Sequence, residues 1–377
     1  MGFSFKKKEK KRGLKKKMSE NPFGSIVEDA LNHEENKKEV DVSGQANINV
    51  IGVGGAGSNM VNWLQGKGVK GAKTYAVNTD KQHLDMVNAE GKVLIGKTLT
   101  RGLGCGGYPD KGREAAKESM LELKEILSKT DMVFICAGLG GGTGTGAAPE
   151  VAKLAKDQGA IVIGTVTMPF DIERARIDKA EFGLEMLRDV SDTVIVVDNN
   201  RLVNIAGNLP VKQAFAVANE LISTMIKGIV EIIAVPSLVN LDYADVKAIM
   251  SDGDVSVIGI GESDSEHRVD EAVRRALTNP LLDVNYEGAN GALIHVSGGE
   301  DLTLDEVSKA GTLVTEALDP DANVIWGARI SDELKGKIRV MTIVTGVNSP
   351  YILGKVKPEV MRKRNEQLGE DLGIDVV

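Results

Sequence analysis

The stretch AGLGGGTGTGAAP, residues 137–149, contains six glycines among the nine residues from 138 to 146. It follows the buried-strand pattern MVFICAG (132–138) and precedes a helical pattern. An ordinary turn between a strand and a helix needs one or two glycines, whereas a loop whose backbone N–H groups wrap a polyanion needs many. Thr143 and Thr145 can add hydroxyl donors. Because the loop holds no lysine, amides, the helix dipole and Mg²⁺ would meet the phosphate charge. The stretch predicts a phosphate-binding loop, with a merely flexible loop as the alternative.

A second glycine motif, GVGGAG at residues 52–57, follows the strand-like run INVIGV (48–53) and opens a helical pattern. It satisfies the dinucleotide expression G-x-G-x-x-G, and Asp80 lies about where a ribose-binding acid would be. By itself the motif is compatible with NAD-type binding, with another nucleotide or with a tight turn. If their strands lie side by side, the two glycine loops face one crevice. Two converging phosphate loops fit a nucleoside triphosphate better than a dinucleotide.

A third match to a phosphate motif is misleading. The stretch GKVLIGKT, residues 91–98, fits the Walker A expression letter for letter. Its middle residues Val93, Leu94 and Ile95 have the pattern of a buried strand, and the following LTRGLGCGGYP is too rich in glycine to open the required helix. We therefore predict that this stretch is not a P-loop.

The fold class follows from short apolar runs that alternate with segments of helical periodicity. Continuous apolar strands separated by helices indicate an α/β protein with a parallel, Rossmann-type sheet covered on both faces. The strand-like runs of this part are INVIGV (48–53), KTYAVN (73–78), KVLIG (92–96), MVFICAG (132–138), AIVIGTVT (160–167) and TVIVVD (193–198). A long central helix is predicted from Val211 to about Ile233, followed by a smaller mixed sheet. The strand-like runs of the second sheet are DVSVIGIG (254–261), GALIHVSG (291–298), NVIWGARI (323–330) and KIRVMTIVTG (337–346).

Four segments are predicted along the chain. Residues 1–43 form a basic, disordered tail, with one short helix near Phe23 to Leu31. Residues 44–235 form the nucleotide-binding domain with the central helix. Residues 236–350 form a C-terminal domain, and residues 351–377 form a charged tail that ends in LGIDVV.

Charge and composition limit the partners and the compartment. The chain has a net charge of −8, yet nine of its first 17 residues are Lys or Arg against the single acid Glu9. An acidic body with a basic tail argues against nucleic acid as the main partner. The tail could attract a membrane surface or bind a partner, but no apolar run is long enough to predict a transmembrane segment. Two cysteines, Cys105 and Cys136, without metal spacing are typical of a cytoplasmic protein.

The motifs together resemble the tubulin/FtsZ family, with the closest likeness to FtsZ of the archaeal type. The resemblance covers about residues 46–347, the whole body without the tails. It implies a GTPase that polymerises into filaments, with GTP, GDP and Mg²⁺ as ligands. The matching stretches occur in the family's order: GVGGAGSN (52–59), AVNTD (76–80), LTRGLGCGGYP (99–109), AGLGGGTGTGAAP (137–149) and NLDYADVKAIM (240–250).

This resemblance implies roles at individual positions. The nucleotide contacts it predicts are Gly54, Gly55, Ala56, Gly57, Ser58, Asn59, Asn78, Asp80, Gly138, Gly140, Gly141, Gly142, Thr143, Gly144, Thr145, Gly146, Glu173, Arg176, Asn199, Phe215 and Asn219. Phe215 would pack on the base, and the two asparagines 199 and 219 would face sugar and guanine. The family usually carries PF-x-x-E-G-x-x-R, whereas this chain has PFDIERAR (169–176). Glu173 transfers directly, but either Arg176 or Arg174 could be the arginine.

The catalytic prediction rests on NLDYAD, residues 240–245. From the residues alone, Asp242 is a good N-cap and Asp245 suits the first turn of a helix, so a purely structural role fits them. The resemblance implies instead that Asn240, Asp242 and Asp245 enter the nucleotide site of the neighbouring subunit and position the attacking water. Mg²⁺ would be held mainly through phosphates and water, and the resemblance identifies no protein ligands for it.

Further expectations follow from the resemblance. The main partner would be the chain itself, as a head-to-tail homopolymer at the division site in the cytoplasm. A membrane-adaptor protein of division would bind through the C-terminal or the N-terminal tail. Two other functions stay open on the residues: a dehydrogenase, which rests on residues 52–57 alone, and a nucleotide-binding scaffold without turnover.

Overall fold

The first sheet contains seven strands, in a computed structural model that describes residues 46–234, 237–239, 241, 243–250, 256–278, 286, 289–347 and 352–353. The strand order is β11-β6-β5-β4-β1-β2-β3, with β1 to β6 parallel and β11 antiparallel to β6. The strands are β1 (Ile48–Val53), β2 (Ala72–Asn78), β3 (Gly91–Leu94), β4 (Met132–Gly138), β5 (Ile161–Met168), β6 (Thr193–Asp198) and β11 (Ile352–Leu353). The predicted parallel sheet is confirmed.

Helices cover both faces of this sheet, as the continuous apolar strands require. In β1, Ile48 and Val50 pack into one buried cluster, whereas Ile51 and Val53 pack into another on the opposite face. The alternation arises because successive side chains of a strand point to opposite faces. The helices of this part are α1 (Gly54–Gly66), α2 (Lys81–Met86), α3 (Lys97–Thr100), α4 (Pro109–Glu118), α5 (Met120–Leu127), α6 (Thr143–Asp157), α7 (Ala175–Val190) and α8 (Asn199–Ala206).

The central helix α9 (Val211–Ala234) has 24 residues and lies between the two sheets. At 1.5 Å per residue it is about 36 Å long. Its buried face includes Ile222, Ile226 and Ile229, which share one core with strands of both sheets. The predicted helix from Val211 to Ile233 is thus confirmed to within one residue.

The second sheet is mixed, as predicted, and has the order β7-β10-β8-β9. Strand β9 is parallel to β8, and β10 is antiparallel to both of its neighbours, so the short connection from β9 to β10 passes over the end of β8. One face packs on α9 and the other on two helices. The elements are α10 (Tyr243–Met250), β7 (Ser256–Ser263), α11 (Arg268–Leu277), β8 (Gly291–Gly298), α12 (Leu304–Thr315), β9 (Asn323–Ile330) and β10 (Ile338–Thr345).

The structure describes little of the two predicted tails. The basic tail, including the helix near Phe23 to Leu31, and residues 354–377 lie outside the described residues. Residues 352–353, assigned from sequence to the charged tail, extend the first sheet as β11. Within the described part of the chain, no helix is long and apolar enough to span a membrane.

Candidate nucleotide-binding site

Two glycine loops converge at the carboxyl edge of the first sheet. Strands β1 and β4 are neighbours, and the strand order 3-2-1-4-5-6 reverses direction between them. Parallel α/β sheets bind ligands at such a switch point. Gly54, which follows β1, has φ +74°, and a Cβ there would lie 2.8 Å from the amide nitrogen of Gly144. The two loops therefore lie side by side at this edge, the arrangement on which the predicted common crevice depends.

The absence of a side chain at these glycines is explained in two different ways. A Cβ at Gly142 would lie 2.6 Å from Cys105 Cβ, and one at Gly146 would clash with the carbonyl oxygen of Pro109. At Gly55 and Gly141, by contrast, a Cβ would meet no protein atom within 4 Å. Much of the glycine content therefore serves protein packing, and the glycine count alone overstates the signal for a polyanion. At Gly55 and Gly141, protein packing does not explain the missing side chain, which is compatible with space for a ligand.

A pair of hydroxyl groups connects the loop after β2 with the phosphate loop. Thr143 Oγ1 lies 2.6 Å from Thr79 Oγ1, and Cys105 Sγ lies 3.4 Å from the Thr79 hydroxyl. Because Thr79 is fully buried, its hydrogen bond holds the Thr143 hydroxyl in a defined position. Thr79 and Cys105 were missed by the sequence reasoning, although both fall in stretches that it singled out. Their role depends on contacts between loops, which no spacing reveals.

Two predicted contacts, Ser58 and Thr145, have buried side chains. Thr145 is 2% exposed, and a Cβ at Gly183 of α7 would clash with its methyl group. Neither hydroxyl has a hydrogen-bond partner among the described residues. The backbone at these positions is therefore the part available to a ligand at the crevice.

Asn78 and Asp80 shape the loop after β2. Asn78 Oδ1 accepts a hydrogen bond from the Thr79 amide at 2.9 Å, and Asp80 caps α2 by accepting from the His83 amide at 3.0 Å. Side chains of this kind compete for backbone donors and hold tight turns. Both residues lie at the carboxyl edge, where the prediction placed them.

Glu173 and Arg176 lie beside the phosphate loop. Glu173 forms an ion pair with Arg176 and accepts from the Phe170 amide at 3.0 Å. Although burial opposes the effect, these two contacts hold the pKa of Glu173 below its ordinary value. A Cβ at Gly140 would lie 2.8 Å from the carbonyl oxygen of Arg176. This packing places the backbone of Arg176 beside the phosphate loop, and the choice between Arg176 and Arg174 stays a prediction.

An aromatic pair stands farther along the same edge. Phe215 of α9 is 43% exposed, and its ring is 5.9 Å from that of Phe170 in an edge-to-face arrangement. Asn199 opens α8 directly after β6, and Asn219 lies one turn after Phe215 on α9; both are half-buried. The exposed face of Phe215 is available for stacking on a flat base.

The predicted catalytic stretch lies at the opposite edge of the sheet. Asn240 and Asp242 lie outside the described residues, but Asp245 is in the first turn of α10. Tyr243 Oη donates to the carbonyl oxygen of Asp131 at 2.8 Å, immediately before β4. The phosphate loop begins where β4 ends, and seven residues of strand span roughly 20 Å. Asp245 therefore cannot reach the phosphate loop of its own chain.

Two other expectations concern phosphate and metal chemistry. The Walker-like stretch contains the strand β3 (Gly91–Leu94), the feature on which the rejection of a P-loop rested, and its Lys97 pairs with Glu122 at 2.8 Å. The described residues contain no cluster of three His, Cys, Asp or Glu side chains that could hold a metal.

Comparison with known proteins agrees with this geometry. Residues 47–207 match the model of the tubulin/FtsZ family GTPase domain, and residues 254–348 match the FtsZ family C-terminal domain. Cell division protein FtsZ 2 of Methanocaldococcus jannaschii is 53% identical over 92% of this chain and 94% of its own length. The chain belongs to the tubulin/FtsZ family. Residues 47–207 accordingly form a GTPase domain of a family that binds GTP and GDP.

Other relatives support the same family. Cell division protein FtsZ 1 of Pyrococcus furiosus is 54% identical over 82% of this chain and 83% of its own length. The solved structure of an empty FtsZ dimer from M. jannaschii has a TM-score of 0.75 at 48% identity, and covers 86% of this chain and 92% of that one. The FtsZ family membership removes the support for a dehydrogenase, whose only basis was residues 52–57.

Proposed function

We propose that this chain is an assembly-dependent GTPase that polymerises head to tail and acts in cell division. The observation that carries the proposal is the placement of two half-sites at opposite edges of one sheet. The phosphate loops follow β1 and β4, whereas Asp245 lies beyond the start of β4. A contact that joins the carboxyl edge of one copy to the amino edge of the next completes the site.

The GTP would lie across the carboxyl edge of the first sheet. Amides of the two glycine loops and the start of α6 would donate to the phosphates, where the helix dipole also favours negative charge. Glu173 and Arg176 would face the sugar side, and Phe215 would pack on the base. Mg²⁺ would arrive with the phosphates and neutralise part of their charge.

The attacking water would be positioned by the neighbouring subunit. In this proposal Asn240, Asp242 and Asp245 of one copy reach the γ-phosphate bound by the next. Carboxylates can orient and polarise a water, while the donors of the glycine loops stabilise the charge that develops on the phosphate. A single copy holds only the binding half, so hydrolysis requires assembly.

Exposed apolar side chains at both edges support head-to-tail contact. Leu103 is 85% exposed at the nucleotide edge, and Ile172 lies exposed near it. Leu238 is 64% exposed at the other edge, and the neighbouring Val239 is held to Ala328 of β9 by two backbone hydrogen bonds. Two different surfaces that fit each other give a heterologous interface, which generates open filaments rather than closed dimers.

The setting of this activity is proposed from the relatives and the tails. The relatives named above are cell division proteins, so we place this chain in the cytoplasm at the division site. The basic residues of segment 1–17 and the terminal LGIDVV are the two candidate contacts for a membrane-adaptor protein.

Phosphate release combined with GTP-dependent pelleting tests the proposal. Activity per molecule is expected to rise with protein concentration, because each productive site needs two subunits, and pelleting is expected to rise in parallel. Activity per molecule that stays constant across concentrations would show that one subunit is sufficient. Pelleting without phosphate release would identify a scaffold that binds nucleotide without turnover.

A further inference from the structure

The loop between α3 and α4, residues 101–108, is dense in left-handed backbone. Positive φ angles occur at five of its eight residues: Arg101, Gly102, Gly104, Gly106 and Gly107. Glycine adopts such angles freely, but it loses more conformational entropy on ordering than any other residue. Contacts with neighbouring segments are therefore needed to hold this α3–α4 loop in one conformation.

The α3–α4 loop packs directly on the phosphate loop. A Cβ at Gly142 would lie 2.6 Å from Cys105 Cβ and 3.0 Å from the amide nitrogen of Tyr108. The first half of the α3–α4 loop is tied to the segment after β2 by backbone hydrogen bonds, one of them from the Gly104 amide to the Thr79 carbonyl oxygen at 3.1 Å. A shift of its second half would alter one wall of the proposed phosphate site.

Lys179 connects α7 to this second half. Its Nζ donates a hydrogen bond to the carbonyl oxygen of Gly107 at 2.8 Å and lies 5.8 Å from the centroid of the Tyr108 ring. A charged donor makes the hydrogen bond about twice as strong as a neutral one, and the ring face adds a cation–π attraction. Gly107 has φ +78°, and a Cβ there would meet no atom within 4 Å, so packing does not fix its position.

The surroundings of Lys179 differ from those of an ordinary surface lysine. It is half-buried, and it forms no ion pair with the residues that the structure describes. Arg176, one turn earlier on α7, is instead paired with Glu173. The contacts of Lys179 are thus those of a side chain that holds a backbone position rather than one that completes an ion pair.

We propose that Lys179 is a positioning residue that latches the α3–α4 loop against the phosphate loop. The inference rests on the proposed nucleotide site, because the latched loop forms one wall of it. With the latch closed, this wall is in place before a nucleotide arrives, and binding need not order a flexible glycine segment. Lys179 acts through the Gly107 carbonyl and the Tyr108 ring, not through contact with the reacting phosphate.

Cysteine labelling of the nucleotide-free full chain tests the latch independently of binding. Cys105 lies in the α3–α4 loop and is 4% exposed, whereas Cys136 in β4 is fully buried, which raises its pKa to about 12. Labelling by a thiol-specific reagent, resolved by peptide mass, reports opening of the loop at Cys105 and unfolding of the sheet at Cys136. In Lys179→Met the rate at Cys105 is expected to rise about fivefold to tenfold, as for loss of one charged hydrogen bond, with the rate at Cys136 unchanged.

Two matched variants assign the effect to the latch. Lys179→Arg keeps a charged donor for the Gly107 carbonyl and should keep the slow rate at Cys105. Lys153→Met removes the same charge from an exposed position on α6, the helix that begins in the phosphate loop, and should behave like the unchanged chain. The latch is overturned if Lys179→Met leaves the Cys105 rate unchanged or raises both rates, if Lys153→Met raises the Cys105 rate equally, or if Lys179→Arg labels as fast as Lys179→Met.

Nucleotide measurements then separate the latch from the proposed function. Lys179→Met is expected to weaken GDP binding and raise the KM for GTP about fivefold to tenfold, whereas Lys179→Arg and Lys153→Met keep normal values. The kcat of assembled Lys179→Met should stay within about twofold, because the latch acts on binding and not on the chemical step. Faster labelling at Cys105 with unchanged GDP affinity would overturn the role of Lys179 in binding. Failure of the unchanged chain to bind GDP would contradict the proposed function itself.

Discussion

The two edges of the first sheet are built in different ways. At the carboxyl edge, two glycine loops pack against each other and against the segment around Cys105, and the Thr79 hydroxyl holds that of Thr143. At the amino edge, α10 packs into the core shared by the two sheets through Val246 and Met250, and Tyr243 bonds to Asp131. The chain before α10 is held by two backbone hydrogen bonds between Val239 and Ala328. We call the packed glycine loops of the carboxyl edge the cradle, whereas the amino edge carries α10 with Asp245 in its first turn.

This difference explains how binding and hydrolysis can be separated. A cradle with a fixed backbone binds phosphate without any partner, since its donors are already in position. In the proposed mechanism, the carboxylate of Asp245 acts on water only when a second molecule supplies a phosphate. On this proposal the chain binds the nucleotide at one edge and carries the hydrolytic group at the other, and assembly brings the two together.

The largest expected effect on GTP hydrolysis comes from a substitution at the amino edge. Asp245→Ala should lower the rate of phosphate release about 100-fold or more, the range for loss of a group that activates water. GTP affinity should stay unchanged, because the binding cradle lies at the other edge. Filaments should persist longer, since their GTP is no longer hydrolysed.

A matched control for this variant is Asp305→Ala. Asp305 is also an aspartate in the first turn of a helix, but that helix, α12, packs on the second sheet. Turnover should be normal in Asp305→Ala. Normal turnover in Asp245→Ala as well would contradict the assignment of the amino edge to hydrolysis.

The cradle can be tested at the glycines that face open space. Gly55→Ala and Gly141→Ala should each weaken GDP binding about tenfold, because the added methyl group occupies phosphate space and lengthens charge-assisted hydrogen bonds. Stability should not fall, since neither Cβ meets a protein atom within 4 Å. Equilibrium binding and thermal unfolding measure the two effects.

Gly66→Ala is the control for the glycine variants. Gly66 is the last residue of α1, the helix that contains Gly55, and a Cβ there also meets nothing within 4 Å. Its GDP affinity should equal that of the unchanged chain. Equal affinity in Gly55→Ala and Gly66→Ala would mean that the open space beside Gly55 is not the phosphate site.

The smallest effect is expected at the hydrogen bond that anchors α10 at the amino edge. Tyr243→Phe removes the hydrogen bond to Asp131 and should lower the free energy of unfolding by about 1 kcal/mol. Turnover should fall a few-fold with GTP affinity unchanged. Tyr108→Phe, at an exposed tyrosine near the cradle, should leave stability unaltered.

The contribution of Tyr243 should depend on pH in one direction only. Burial, followed by the charges of Asp131 and Asp192, raises the pKa of the Tyr243 hydroxyl above its ordinary value near 10. The bond is therefore fully present below pH 10 and is lost as pH rises through the higher folded pKa. A stability difference between Tyr243 and Tyr243→Phe that already declined between pH 6 and 9 would contradict this anchoring role.

Much of the fold could be predicted because its signals are local. The runs 48–53, 132–138, 193–198 and 291–298 coincide with β1, β4, β6 and β8, since buried parallel or central strands are continuous apolar stretches. The order of β8 and β10 was not predictable, because the short link between β9 and β10 does not show that β8 lies between them. The two-residue strand β11 is too short to give any periodicity.

The candidate site was predictable to a lesser degree. The glycine stretches located both loops. The sequence does not show that protein packing requires a glycine at positions 142 and 146, whereas a Cβ at Gly141 would meet no protein atom within 4 Å. Thr79 was passed over because a buried threonine beside two polar neighbours carries no pattern of its own. The distance between Asp245 and the phosphate loop is a tertiary property, visible only once Tyr243 is seen to contact Asp131.

Mixing two inactive variants tests the shared site most directly. Asp245→Ala keeps the cradle and lacks the carboxylate, whereas Gly141→Trp keeps the carboxylate and fills the open phosphate space. Each alone should release almost no phosphate. An equimolar mixture should recover a clear fraction of normal turnover, because some interfaces then join an intact cradle to an intact Asp245. A mixture no more active than the sum of its parts would contradict a site composed of two subunits.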